Sequence, residues 1–472
     1  MRKLNKINIL FSAMKNILPF VLFLIPLFSS AQCPNTEIYL ETQADVDNFT
    51  TNYPNCTSLI NNLWIGTEPN NISNIDGLTS ITSAQNIYMR HTQISDFFGL
   101  SNLEDALDLS IGYNNSMASL QGFNSLQSLV RLHVFSSSSI MSLSGIDNLQ
   151  VIDNITLFMN SSLTDISQLS FLVNVNLLDI SNNALSSLSG LENLQTVGND
   201  MEISNELIEN FNDLSSIETI GGSLRIRNNV QLYDLTAFSG LELLEDLILI
   251  GSPLLSNLSG LENLQNISGR LRIGFNPGLI DLSVFSNLNS VRDFDIYDND
   301  NLASLSGLEN LQLISNRLLI NRNTSLVSID ALNDLSTAQI NEVGIVNNSN
   351  LAVCNNQFIC STIADSSVLK SLYNNDVGCN TLLEVETSCL LASTDIKLNK
   401  SVAVYPNPVS EFLRVAISNE FILEGVTVFS ILGQELINCK KENLNFSHLP
   451  RGIYFVEVAT NKGSITRRVI KQ

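Results

Sequence analysis

Little in this sequence equips it for catalysis. Its 472 residues include only three histidines, His91, His133 and His448, far apart along the chain. No HExxH, GxSxG, glycine-rich phosphate loop or CxxC occurs, so the common means of holding zinc, exposing a nucleophilic serine or cradling a phosphate are missing. Positive charge is scarce as well: residues 32–395 carry 10 Lys and Arg against 40 Asp and Glu. So acidic a body repels nucleic acid and anionic membrane, and neither is expected as a partner. Acidity of this kind also simply keeps an exported chain soluble. Cysteine is absent from the whole stretch between Cys56 and Cys354. The one long apolar run, near the start, falls short of the roughly 20 residues that span a bilayer.

That run has the setting of a secretory signal. Arg2, Lys3, Lys6 and Lys15 give a positive start, Ile17 to Phe28 is apolar, and Ser29-Ser30-Ala31 supplies small residues for cleavage. Residues 1–31 are therefore read as a signal peptide, the mature chain starting at Gln32 with no transmembrane segment left. Export places the seven cysteines in an oxidising environment. Cys33 and Cys56 precede the central region, while Cys354, Cys360, Cys379 and Cys389 follow it. Two clusters of even count read as disulfides stapling its ends: Cys33 with Cys56, and, of the three pairings open to the other four, preferentially Cys354 with Cys379 and Cys360 with Cys389. The 5, 18 and 9 residues between the later four do not resemble paired zinc knuckles, and neither metal nor cofactor is expected. Cys439 is left as a free thiol.

Between the cysteine clusters the dominant signal is internal repetition. SLSGIDNLQ, SLSGLENLQ, NLSGLENLQ and SLSGLENLQ set glycines at Gly145, Gly190, Gly260 and Gly307, and weaker copies put the same position at Gly77, Gly99, Gly122, Gln168, Asp213, Ala237, Val284 and Ala331. The result is about twelve units, each 22 to 24 residues long, over residues 63–350. Each unit opens with L-x-[IL], whose period of two sends both apolar side chains to one side of a short strand. Apolar residues then recur every third position, which suits a tightly turning path. One unit cannot bury its own leucines, so consecutive units must stack and share a core. The flanks, 32–62 and 351–389, read as caps that keep the end leucines from water. Thr42 and Asp45 look like a capping box opening a short helix in the first.

The unit L-x-[IL]-x-x-N-x-x-L-x-x-[LI]-x-x-[LF]-x-x-L, as in LRIGFNPGLIDLSVFSNL, resembles the leucine-rich repeats, including the irregular variants of receptor L domains. The resemblance implies a β-rich solenoid with parallel strands on one side and 3-10 or irregular turns on the other. It also implies a ladder of buried asparagines just after the strands, here Asn114, Asn160, Asn183, Asn229, Asn276, Asn299, Asn323 and Asn348, with Ser137 and Ser252 as substitutes. Their amides would satisfy backbone groups of their own and adjacent repeats.

After a linker at 390–400 the composition changes. Residues 401–472 alternate short strand-like stretches with Gly, Pro and Asn turns, the pattern of a small β-sandwich. Tyr405-Pro406-Asn407-Pro408, Gly433, the LPRGIY run with Gly452 and Tyr454, and the terminal RVIK with Lys471 resemble the C-terminal sorting domain of type IX secretion cargo. With the caps and repeats, the whole resembles secreted repeat proteins of the Bacteroidetes. The type IX machinery is then one expected partner.

The other is a ligand, protein or glycan, held on the strand side at the cell surface. Among residues flanking the core pairs, Phe135 and Phe158 fill equivalent slots of adjacent units. Arg225, Arg227 and Arg272 gather three of the ten basic residues, and Tyr297 lies beyond them. Aromatic and arginine side chains commonly anchor interfaces, and arginines suit an acidic group. The competing reading is that the phenylalanines cover a neighbouring strand and the arginines neutralise an acidic surface. The sequence is thus read as a binding protein and not an enzyme, a structural spacer or matrix component being the alternative and a secreted hydrolase a weaker one. Asp298-Asn299-Asp300-Asn301 could contribute to a calcium site but lacks the later Gly and Glu of a full loop.

Overall fold

A computed structural model describes residues 33–66, 68 and 71–472. The signal segment 1–31 and Gln32 lie outside the described residues. Fifteen strands follow one another, in chain order, through a single parallel sheet. They are β1 (Ile38–Leu40), β2 (Ser58–Ile65), β3 (Ser83–Arg90), β4 (Asp105–Gly112), β5 (Ser128–Phe135), β6 (Val151–Phe158), β7 (Leu177–Ser181) and β8 (Met201–Ser204). The rest are β9 (Leu224–Arg227), β10 (Leu247–Ile250), β11 (Asn266–Gly274), β12 (Ser290–Tyr297), β13 (Leu313–Asn321), β14 (Glu342–Val346) and β15 (Leu369–Tyr373). This is a leucine-rich-repeat solenoid: the L-x-I pairs, such as Leu109 and Ile111 or Leu132 and Val134, are fully buried, and one continuous apolar core runs from Ile38 to Val385.

The recurrent glycine has two physical explanations, which divide the repeats into two kinds. Gly122, Gly145, Gly190, Gly260 and Gly307 have φ between 109° and 120°, a left-handed conformation that side chains disfavour. A Cβ on Gly260 would also lie 2.1 Å from the carbonyl oxygen of Leu235 in the preceding unit. At Gly77 and Gly99, and where Gln168, Asp213, Ala237, Val284 or Ala331 occupies the position, the chain forms a 3-10 helix instead, as at Asp76–Leu78 and Asn212–Leu214.

The sheet does not stop at the repeat boundaries set out above. The N-terminal segment supplies β1 and most of β2, so a border at residue 63 falls inside a strand. The VLKSLYNN stretch supplies β15. Helices α1 (Gln43–Asp47) and α2 (Phe49–Asn52) close the first end. Thr42 and Asp45 form a reciprocal capping box there, while Val46 and Phe49 are buried against the first repeat. The other end holds α3 (Gln357–Ala364) and α4 (Leu382–Ser401). Disulfides join Cys33 to Cys56, Cys354 to Cys379 and Cys360 to Cys389.

The stretch 390–400, read from the sequence as a linker, is helical and forms the second half of α4. No Gly or Pro interrupts Leu382 to Ser401. Thr381 caps the helix by accepting from the Glu384 amide, and the Glu384 carboxylate accepts from the amides of Gly378 and Asn380. Leu398, near its end, is buried in a second core. That core lies between a three-stranded sheet (Val402–Tyr405, Phe412–Ile417, Asn443–Asn445) and a four-stranded sheet (Leu423–Ser430, Glu435–Cys439, Gly452–Thr460, Gly463–Lys471), all antiparallel. Cys439 carries a free, half-buried thiol beside it.

Candidate binding surface on the strand face

The turn after each strand is built by two residues. The first adopts a left-handed conformation in His91, Tyr113, Ser136, Met159, Asn182, Asn228, Phe275, Asp298, Arg322, Asn347 and Asn374. The second points its side chain inward. Asn276 is fully buried; its Oδ1 accepts from the Ser252 amide at 2.9 Å and its Nδ2 donates to the Leu249 carbonyl at 3.0 Å. Asn114, Asn160, Asn183, Asn229, Asn299, Asn323 and Asn348 repeat the pattern, each bonding the unit before it. Two rungs escaped the sequence reading. Asn205 bonds Asn183 and Ile180 in the same way, and Asn375 closes the series on Asn348 and Ile345. Asn205 follows its strand one residue early, as M-x-I-x-N, so the L-x-I-x-x-N spacing passes over it.

On the solvent side of the sheet the six candidate ligand contacts do not converge. Phe135 and Phe158 are register partners on β5 and β6, yet Phe135 is itself buried, at 8% exposure. Its ring lies over Gly112, where a Cβ would meet it at 2.2 Å. Of the two readings the sequence offered for Phe135, the structure has the ring covering the neighbouring strand. Tyr297 does the same over Gly274, edge-on to Phe275, and burial pushes its hydroxyl pKa up. Arg225 and Arg227 bond Asp200 at 2.8 Å and Glu202 at 2.7 Å; Arg272 meets Asp295 at 3.0 Å, which also takes Arg317 at 2.6 Å. These guanidiniums are held by carboxylates of the chain itself. The acidic run after β12 is occupied too, since Asp298 pairs with Arg322 and Asp300 accepts from Thr324. Among the described residues no group of three His, Cys, Asp or Glu is placed to hold a metal.

A different region, over β1 to β5, carries a row of exposed and half-buried rings on the solvent side. Tyr39, Trp64 and Tyr88 are register neighbours whose rings stack, Tyr39 to Trp64 at 6.2 Å and Trp64 to Tyr88 at 4.3 Å. The next positions in the same row are Ser110 and His133. His133 stacks on Phe135 at 4.4 Å, and Arg90 lies 4.9 Å over that ring. Burial lowers the His133 pKa, with Asp108 opposing and Arg90 and Arg131 reinforcing, so the imidazole is neutral at pH 7. Arg90 Nε, Asp108 Oδ1 and Ser110 Oγ are buried without a hydrogen-bond partner in the protein, as are Gln168 Oε1, Ser252 Oγ, Arg270 Nε and Arg317 Nε elsewhere along the solenoid, while Trp64 Nε1 faces the Glu37 carboxylate. Beyond the strand ends, stacked His91 and Tyr113 border a hollow of about 660 Å³ that Glu68 and Asn115 also line. No repeat signature marks this region; only the run of ring-bearing residues at one repeat position, Tyr39, Trp64, Tyr88 and His133, could have drawn attention to it.

In the C-terminal sandwich the motif residues explain one another. Asn407 pins the Tyr405–Pro408 loop to the last strand: its Nδ2 donates to the Arg468 carbonyl and its Oδ1 accepts from the Ile470 amide, both at 2.9 Å. Tyr454 is buried and donates to the Pro450 carbonyl at 2.7 Å, Gly433 turns a hairpin at φ 78°, and Gly452 and Lys471 face each other across the last two strands.

Solenoid and sandwich together define a repeat protein with an appended export module. Residues 403–472 match the family described as the secretion system C-terminal sorting domain, so the chain ends in a type IX sorting tail, which marks it for export. No curated protein matches the chain. Among solved structures it is similar to an internalin from Listeria monocytogenes, at 21% identity over 65% of this chain and 89% of that one, with a TM-score of 0.38. No described helix is long and apolar enough to cross a membrane.

Proposed function

We propose that this chain is an exported binding protein that recognises a protein or glycan at the cell surface through the solvent side of its strand sheet, and that it is not an enzyme. The observation carrying the reading is the row of stacked rings Tyr39, Trp64 and Tyr88 on the solvent side of β1 to β3. Aromatic side chains presented at a surface commonly anchor interfaces. Periplasmic passage, after signal cleavage, belongs to the same proposal, as does final attachment at or release from the surface. The test is capture from the native surroundings with the full mature chain, wild type against a variant with Trp64→Ala and Tyr88→Ala. A partner retained by the wild type and lost by the variant is expected; equal capture would remove the strand face from consideration.

A further inference from the structure

We infer that the turns following β8 to β11 form a second interaction surface, separate from the strand face, for a polypeptide partner that presents apolar side chains bordered by lysine or arginine. The two residues after each ladder position lie in the turn, just before the next buried core residue. After Asn114, Ser137, Asn160, Asn299, Asn323 and Asn348 they read Asn-Ser, Ser-Ser, Ser-Ser, Asp-Asn, Thr-Ser and Ser-Asn, as suits turn positions open to water. Four consecutive units depart from this rule, with Glu206-Leu207, Val230-Gln231, Pro253-Leu254 and Pro277-Gly278. Pro253 and Pro277 are the only prolines between Pro69 and Pro406.

The departure gathers exposed apolar side chains in one place. Leu207, Val230, Tyr233, Leu254, Phe275 and Ile280 are each between 38% and 55% exposed. The turns run in register from unit to unit: the Tyr233 amide donates to the Glu209 carbonyl, Gly251 to Gly274 and Ile280 to Ser256. A Cβ on Gly278 would lie 2.4 Å from the Pro253 carbonyl oxygen, so successive turns touch. Units about 4.8 Å apart carry the patch over about 14 Å in the three steps from Leu207 to Phe275. The six side chains together leave bare on the order of 500 Å², toward the upper end of what monomers expose and more than half of one partner's share of a standard interface. The fold does not call for them, since Leu232, Leu255 and Leu279 already fill the core at this level.

Charge at the border selects the partner. Glu206 and Glu209 stand exposed in the first turn, Asp234 and Asp281 follow Tyr233 and Ile280, and none of the four turns carries Lys or Arg. The nearby Arg225, Arg227 and Arg272 lie in the strands and are paired with carboxylates. A second copy would set the same carboxylates against these, and an anionic surface would be repelled as well, so a basic border is the complement. An apolar centre within a charged rim is also the usual anatomy of a protein interface.

The experiment titrates the full mature chain with three synthetic helical peptides: amphipathic Leu/Lys, amphipathic Leu/Glu, and a Ser/Lys peptide of the same positive charge as the first. Neutral phosphatidylcholine vesicles and sedimentation of the chain alone complete it. The key variant combines Val230→Ser, Leu254→Ser and Phe275→Asn, importing residues that other units use; asparagine suits the left-handed turn that Phe275 holds at φ 55°. Melting profiles show whether it is folded, and Leu254→Ser alone carries the test if it is not. The Leu/Lys peptide is expected to bind the wild type, and at least about tenfold more weakly both the triple variant and Glu206→Gln with Glu209→Gln. Trp64→Ala with Tyr88→Ala should bind it as the wild type does, and a loss there would move the peptide to the strand face and overturn the second surface. No binding of the Leu/Lys peptide, equal binding to the wild type and the folded triple variant, or equally tight binding of the Leu/Glu or Ser/Lys peptide also overturns it. Self-association or vesicle binding that the triple variant abolishes would give the patch to a second copy or a lipid surface and overturn the polypeptide partner.

Discussion

Replacing Asn276 by Ala measures what one rung of the asparagine ladder contributes. Asn276 is fully buried between β10 and β11, and its amide serves two backbone groups of the preceding repeat, the Ser252 N–H and the Leu249 carbonyl. Alanine leaves both unpaired where water cannot reach them. At about 1 to 3 kcal/mol per orphaned buried group, with some relaxation of the turn, the expected destabilisation is about 2 to 4 kcal/mol. Asn276→Asp should be no better, since its carboxylate can accept from Ser252 but would face the Leu249 carbonyl. Asn276→Ser should recover part of the loss, because Ser137 and Ser252 fill this position elsewhere. Asn263→Ala is the control: its exposed side chain makes a comparable bond to the Ser239 carbonyl at 2.8 Å, and water replaces it, so about 0.5 to 1 kcal/mol is expected. Urea unfolding followed by circular dichroism gives both values. An Asn276→Ala midpoint equal to that of the wild type would refute the argument that buried backbone satisfaction holds the repeats together.

Three further outcomes are expected. Peptide mapping without reduction should recover the pairs Cys33–Cys56, Cys354–Cys379 and Cys360–Cys389, and replacing Cys33 and Cys56 by Ser should lower stability by about 3 kcal/mol for a loop of this size; free thiols at Cys33 and Cys56 would contradict the cap. Deleting residues 403–472 should leave a folded solenoid retained in the periplasm of a host with the type IX pathway, and its appearance at the cell surface would overturn the export role of the tail. Asn407→Ala strips partners from the Arg468 carbonyl and the Ile470 amide, so it should speed proteolysis of the tail without moving the solenoid melting point; an unchanged cleavage rate would show that the loop is not held this way.

The repeat architecture was legible because its cause is local. An L-x-I pair can bury both side chains only on one side of a strand, and a 23-residue period repeats that requirement until stacking is the one way to meet it. The tail was legible for a similar reason, its turn residues being dictated by backbone geometry at fixed places. What the sequence concealed is side-chain reach across repeats. Arg225 and Asp200 stand 25 residues apart and in different strand columns, and nothing in their local pattern says that they meet. Phe135 reads as exposed by alternation, but it folds flat because Gly112, its register neighbour, has no side chain to hold it upright. The α4 helix hid behind composition: it is polar, lacks a regular apolar stripe, and is set by its Thr381 cap and the absence of breakers.

The arginines show how far cross-repeat reach changes a functional reading. Asp295 is 1% exposed and accepts from Arg272 at 3.0 Å and from Arg317 at 2.6 Å. A carboxylate buried to that degree is tolerable only while paired, and stripping its partners leaves an uncompensated charge, a loss of about 3 to 5 kcal/mol. Arg272→Ala alone should be mild, because Arg317 remains on both carboxylate oxygens. Arg272→Ala with Arg317→Ala should lose far more than the two single changes together, a coupling expected of groups that share one partner. Adding Asp295→Asn to the double variant should restore much of the stability by removing the charge. Such a pattern would make these arginines part of the scaffold and unavailable to a ligand. Additive losses below about 1 kcal/mol, with no rescue by Asp295→Asn, would show instead that the guanidiniums are only loosely engaged and free to grip an acidic group.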